Sequence, residues 1–243
     1  GGLQAIGVAG MAPDFGSALR DIAGGFVTAP ETTKTDEGRV PDDGSDRASA
    51  TTAPRGLEDL LGILVDAPAA VSVQQVAPHR YIGYLPGPVN GRGSLRLVGG
   101  DHSAYAAKVV GAIEQAVAGD LHARVMLVGS AQGGVTAAEV AASAQSDSFV
   151  IDQVVTAGAP ASHVPRIPEH TRVLSLEDRS DPVALLGSLI DAGAPNRLTV
   201  VFDGSAVEGE HVYVAGGRAV DAADHPELRA ELERLAADGY FAS

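Results

Sequence analysis

The stretch "ARVMLVGSAQGGVTAAEVA", residues 123–141, decides how this chain is read. After Arg124 come Val125, Met126, Leu127 and Val128 with no polar interruption, as in a short strand covered on both faces. Gly129, Ser130, Ala131, Gln132, Gly133 and Gly134 follow, too rich in glycine to continue a strand. Residues 134–144 then read as a helix. Strand, sharp turn and helix in immediate succession are half of a parallel βαβ unit.

Working outward, helix and strand alternate. Residues 57–65 read as a helix, 71–76 and 81–85 as strands, and 103–118 as a helix with Asp101 as its cap. Beyond the turn, 149–156, 172–176 and 198–202 read as strands, and 226–237 as a helix capped by Asp224. The expected fold is α/β, a three-layer α/β/α sandwich around a mostly parallel sheet. Upstream, residues 1–28 form an expected helical segment, interrupted at Pro13 and Gly16. Residues 29–56 have almost no large apolar side chains and read as a flexible linker or long loop. The folded domain is expected to span 57–243. There is no internal repeat, and no basic region precedes "GGLQAIGVAG", so no signal peptide is expected.

Composition narrows the partners. Net charge is −14 over 243 residues. A surface so acidic repels phosphate backbones, so nucleic acid is not an expected partner. No apolar run reaches about 18 residues, so no transmembrane segment is expected. Cysteine is absent, which excludes disulfides, thiolate nucleophiles and thiolate metal sites. Aromatic residues make up 4% and Trp is absent, so the core must be built from Val, Leu, Ile and Ala.

The turn itself carries the chemistry. A dinucleotide loop needs G-x-G-x-x-G and a P-loop needs G-x-x-x-x-G-K; neither is present. A nucleophile elbow needs small residues two before and two after its tip, because strand and helix approach closely there. Gly129 and Gly133 meet that need, and the tip is then Ala131, giving G-x-A-x-G. Ser130 stands one position early. If it were the tip, Val128 and Gln132 would have to be glycine.

"VMLVGSAQGG", "VVTAGAPASHVPRIP", "RVLSLEDRSDPV" and "GEHVYVAGGRAVDAADHPEL" together resemble the α/β-hydrolase fold, and most closely actinobacterial lipase/esterase-like serine hydrolases. The resemblance covers roughly 57–241 and is strongest over 124–183. It implies a triad in the order Ser, Asp, His, with Ala131 in the nucleophile position. After the strand at 172–176 the candidates for the acid are Asp178 and Asp181, and the family's Asp-Pro-Val pattern selects Asp181. The base implied is His211, after the last strand, with His225 as its rival at a helix start. His163 and His170 lie in a polar loop. His79, His102 and His122 lie upstream of the position that the triad order demands.

The resemblance also implies an oxyanion hole of two backbone N–H groups. One comes from Gln132, after the tip. The other comes from "YIGYLPGPVNG", where Pro86-Gly87 matches the family's Pro-Gly-Thr. The next residue, Pro88, has no N–H, and Gly87 or Val89 would have to substitute.

Ala cannot attack a carbonyl, so the expectation is a serine-hydrolase-type domain for carboxylic esters or acyl groups that is inactive as written. The loss is either engineered or natural. The other reading is a non-catalytic binding or scaffold module. Only 161–171 lies where such enzymes insert a lid, so little or no lid is expected. The expected ligand is a small-molecule or lipid-like ester. No cofactor and no metal is required for this chemistry.

Overall fold

The computed structural model describes residues 52–87, 99–143, 146–159, 167–181 and 196–242. The expectations for 1–28 and for most of 29–56 lie outside these residues, as do those for Pro88, Val89, His163 and most of the lid region.

Helix α1 is Leu57–Val65. Leu57, Leu60, Leu61 and Leu64 recur at helical spacing, and all four are at most 1% exposed. Burying each is worth roughly 1.5–3 kcal/mol. The helix stops at Asp66, whose N–H reaches back to Gly62 O, and Pro68 follows. Strand β1 (Ser72–Ala77) and β2 (Arg80–Leu85) form an antiparallel hairpin. Pro78 and His79 turn it, with His79 at φ +61°. Helix α2 is Gly99–Ala116, β3 Arg124–Ser130, α3 Gln132–Ser143, β4 Val150–Ala157, β5 Arg172–Asp178 and β6 Arg197–Phe202. Helices α4 (Val212–Ala222) and α5 (Pro226–Ala237) complete the order.

The six strands form one sheet in the order β1-β2-β3-β4-β5-β6. Only the β1–β2 pairing is antiparallel; β2 through β6 are parallel. Alternate side chains feed two separate cores. Ile82, Tyr84, Met126 and Val128 join α1, α4 and α5. Tyr81, Leu85, Val125 and Leu127 join α2 and α3. Helices therefore pack on both faces, and the α/β class holds with a mostly parallel sheet.

Two expected caps are corrected. Helix α2 begins at Gly99, so Asp101 lies within it instead of capping it. Helix α5 has His225 at its N-cap with no side-chain capping bond, so Asp224 is one residue too early. Helix α4 was absent from the elements expected from the sequence.

Candidate functional site at the β3–α3 turn

Because β2 to β6 are parallel, their carboxyl ends lie along one edge of the sheet. The β3–α3 turn sits there. Ser130 is the last residue of β3, level with Ala157 on β4, and Ala157 is level with Leu176 on β5. Ala131 is exposed at the tip with φ +47°. Only it and His79 have positive φ among the described non-glycine residues. Such a conformation costs an L-residue about 1–2 kcal/mol, and the surroundings fix it. Ala131 N donates to Ala157 O at 3.0 Å, while Gly134 N and Val135 N donate to Ala131 O.

The flanking glycines are required by close approach. A Cβ on Gly129 would lie 2.4 Å from Gly133 C and O. A Cβ on Gly133 would lie 1.8 Å from Leu85 O and 2.9 Å from Gly87 N. Strand β3, helix α3 and the segment leaving β2 thus meet backbone to backbone. Ser130 belongs to the strand and is half-buried. Helix α3 starts at Gln132, and the first amides of a helix have no intrahelical acceptor. This places partial positive charge next to the tip.

Gly87 adopts φ +113° and lies against the turn, but its backbone is hydrogen-bonded to Tyr105. The Tyr105 hydroxyl in turn donates to Ala70 O at 2.5 Å. Burial pushes the Tyr105 phenol up to about 12, so it stays protonated. Gly87 thus sits between the β3–α3 turn and Tyr105 of α2.

At the end of β5, Asp178 and Asp181 part company. Asp178 is buried, accepting from Ser180 N at 2.9 Å, Ser180 Oγ at 2.6 Å and Gly204 N at 2.9 Å. It ties the β5 turn to the loop after β6. Asp181 is exposed, its N–H donating to Asp178 O at 3.0 Å. Next to Asp178, still within β5, lies Glu177, a carboxyl only 1% exposed.

His211 is the N-cap of α4, exposed, with Nδ1 accepting from Tyr213 N at 3.3 Å. A ring nitrogen that accepts cannot at once donate to Asp181. The structure therefore brings Ala131, Asp181 and His211 to the same edge of the sheet without the His211 Nδ1–H bond to a carboxylate that a triad uses. Tyr213 links the parts. A Cβ on Gly158, just after β4, would lie 2.3 Å from its hydroxyl. Its ring packs edge-on against Phe202 with centroids 5.5 Å apart. Burial raises the phenol, and the charges of Glu177, Asp178 and Asp181 add to that effect, opposed by a backbone hydrogen bond from Asp178.

The other histidines lie elsewhere. His79 Nδ1 pairs with Asp120 at 2.6 Å, and its ring meets His122 edge-on at 5.7 Å, beside the amino end of β3. His225 starts α5, which runs along the amino ends of the strands through Arg172–Glu231 and Arg234–Gln153. His170 lies in an exposed turn before β5, and the His102 side chain is outside the described residues. Among the described residues no group of three or more His, Cys, Asp or Glu could hold a metal ion. No described helix is long and apolar enough to cross a membrane. A cavity of about 1060 Å³ lies beside α1 and β1, lined by Arg55, Glu58, Ser72, Gln74, Tyr84 and Val214 among others, away from Ala131.

Glu177 and Tyr213 are the parts that reading the sequence did not find. A carboxylate in the middle of "RVLSLED" was the available signal for the first; nothing local marked the second. No family model, curated protein or solved structure matches this chain.

Proposed function

We propose that this chain is a serine-hydrolase-type domain, esterase- or lipase-like, whose nucleophile position is filled by Ala131. In this reading the sheet and its helices are the three-layer sandwich of the α/β-hydrolase fold. The observation that carries it is the backbone of Ala131. A non-glycine residue is held at φ +47° at the tip of a strand–turn–helix whose flanking glycines admit no Cβ. Strain of this kind persists where a side chain must stand clear of the sheet. The tip faces the start of α3, where a developing oxyanion would be stabilised.

With serine at 131, Oγ would attack an ester carbonyl while His211 Nε2 takes its proton. The resulting imidazolium would be stabilised by Asp181 through Nδ1–H. That requires His211 Nδ1 to release Tyr213 N, a local change at an exposed helix cap. The alkoxide leaving group would receive the proton back from Nε2, and water would then release the acyl group by the same route. With Ala131 the first bond cannot form.

The test is Ala131→Ser assayed on short- and medium-chain p-nitrophenyl esters. Activity that appears in this variant and disappears when His211→Ala is added supports the reading. An inert Ala131→Ser protein that also fails to label with a fluorophosphonate supports a non-catalytic binding module instead. One observation favours that second reading: His211 Nδ1 is engaged by Tyr213 N.

A further inference from the structure

We propose that Arg218 is a positioning residue of this site: its guanidinium, braced on Glu58 of α1, clamps Glu210 and so fixes the end of the loop from which His211 caps α4. The inference rests on the reading of Ala131, Asp181 and His211 as one site.

The loop between β6 and α4 has little packing to hold it. Residues 208–211 are exposed. Gly209 adopts φ +77°, and a Cβ on it would meet nothing within 4 Å. A segment with so few buried contacts opens readily, so its path depends on its fastenings. At its start, Asp178 accepts from Gly204 N at 2.9 Å and Arg179 pairs with Asp203 at 3.1 Å. At its end the fastening is Arg218. Nη1 donates to Glu210 Oε1 at 2.9 Å and Nη2 to Glu210 Oε2 at 2.7 Å. Nε donates to Glu58 Oε1 at 2.9 Å. The capping bond of His211 itself, 3.3 Å from Tyr213 N to Nδ1, is longer than any of these.

The helix makes the reach possible. Arg218 follows His211 by two turns on the same face of α4, about 10 Å along its axis. Helical side chains tilt toward the amino end, so a long side chain at 218 is directed back at the residue before the cap. The other half of the brace is rigid. Four buried leucines hold α1, and Asp221 accepts from Glu58 N at 2.9 Å. Glu58 therefore presents its carboxylate from the folded core, and Arg218 passes that fixity on to Glu210.

A single exposed ion pair would not suffice, since such pairs contribute little. Here all three guanidinium nitrogens are engaged by two carboxylates. The two-point bond to Glu210 sets direction as well as distance. His211 Nε2 has to face the tip of the β3–α3 turn, and an error of about 1 Å in such a group lowers a rate on the order of 100-fold. Releasing Glu210 frees the backbone on which the imidazole stands.

The experiment has two arms. In the chain as it stands, hydrogen exchange of the Tyr213 amide, read by NMR, reports the His211 cap. Arg218→Ala and Glu210→Ala should each speed it by about tenfold or more, with the urea midpoint nearly unchanged. The double variant should exchange no faster than either single one, because both remove the same bond. Unchanged exchange, exchange explained by a fall in the urea midpoint, or losses that add in the double variant each overturn the proposal. In the Ala131→Ser background, Glu210→Ala should lower kcat by about tenfold or more with KM unchanged; an unchanged kcat overturns it. Should Arg218→Ala fail to fold, Glu210→Ala decides in both arms, since it removes only an exposed carboxylate. An inert Ala131→Ser protein refutes the hydrolase reading instead, and the exchange arm then judges the clamp by itself.

Discussion

Gly133 and Leu85 touch through their backbones: a Cβ built on Gly133 would lie 1.8 Å from the Leu85 carbonyl oxygen. The first turn of α3 is thereby pressed against the last residue of β2, across the top of β3. No rotamer change relieves such a contact, because both partners are main chain. Gly133→Ala is expected to destabilise the fold by more than about 3 kcal/mol, read as a lower urea midpoint. Thr136→Ala, three residues along the same helix, serves as the comparison and should cost far less.

The strain at Ala131 can be measured directly. Its φ of +47° is open to glycine without penalty. Ala131→Gly should therefore raise stability by about 0.5–1 kcal/mol, the relieved strain less the added freedom of the unfolded chain. Ala131→Ser keeps a Cβ and should leave stability nearly unchanged. Equilibrium urea unfolding of the two variants separates these outcomes.

Asp221 caps a helix to which it does not belong. Its Oδ1 accepts from Leu57 N and its Oδ2 from Glu58 N, each at 2.9 Å, so the first amides of α1 are satisfied from the last turn of α4. Gly56, the N-cap, makes no side-chain capping bond. Asp221→Ala should cost about 1–3 kcal/mol by stranding two part-buried amides. Asp221→Asn, with one acceptor oxygen in place of two, should lose an intermediate amount. Chemical denaturation orders the three proteins.

Glu177 makes stability fall with pH. Its folded carboxyl titrates near 8, well above an ordinary glutamate. Between those two values the folded state holds a proton that the unfolded state has released. Stability must then decrease as pH rises through that window, by at most about 1.4 kcal/mol per pH unit, and level off above it. Glu177→Gln removes this pH dependence. Melting temperatures of the two proteins from pH 4 to pH 9 should diverge steadily, with the variant the more stable at the alkaline end.

The residues that declared themselves in the sequence are those whose neighbours in the chain are also their neighbours in space. The leucines of α1 repeat at helical spacing, and both α1 and α5 occupy the residues expected, 57–65 and 226–237. The β3–α3 turn was legible because its two glycines obey a local spacing rule. Helix α4 was not, since "VYVAGGRAVDA" puts two glycines and several β-branched residues where helix formers would be looked for. The structure supplies the reason. A Cβ on Gly216 would meet the Phe202 ring at 2.6 Å, and one on Gly217 would meet Leu57 O at 2.8 Å. Close packing on β6 and α1 outweighs propensity there, and no local rule could reveal it. Tyr213 was hidden with the helix that carries it. The bond from the Tyr105 hydroxyl to Ala70 O joins α2 to the segment before β1, a relation across the chain that spacing does not encode.

The first and last stretches of the described residues meet. Ala242 N donates to Pro54 O at 2.9 Å. Nearby, Tyr240 bonds Asp152 near the start of β4, and Arg80 Nε donates to Asp238 O at 2.6 Å. Pro54 and Ala242 therefore lie toward the amino ends of the strands, while Ala131 lies at their carboxyl ends. A tag, a bead or a second protein tethered after Ala242 would therefore start from the opposite end of the strands to the Ala131 turn.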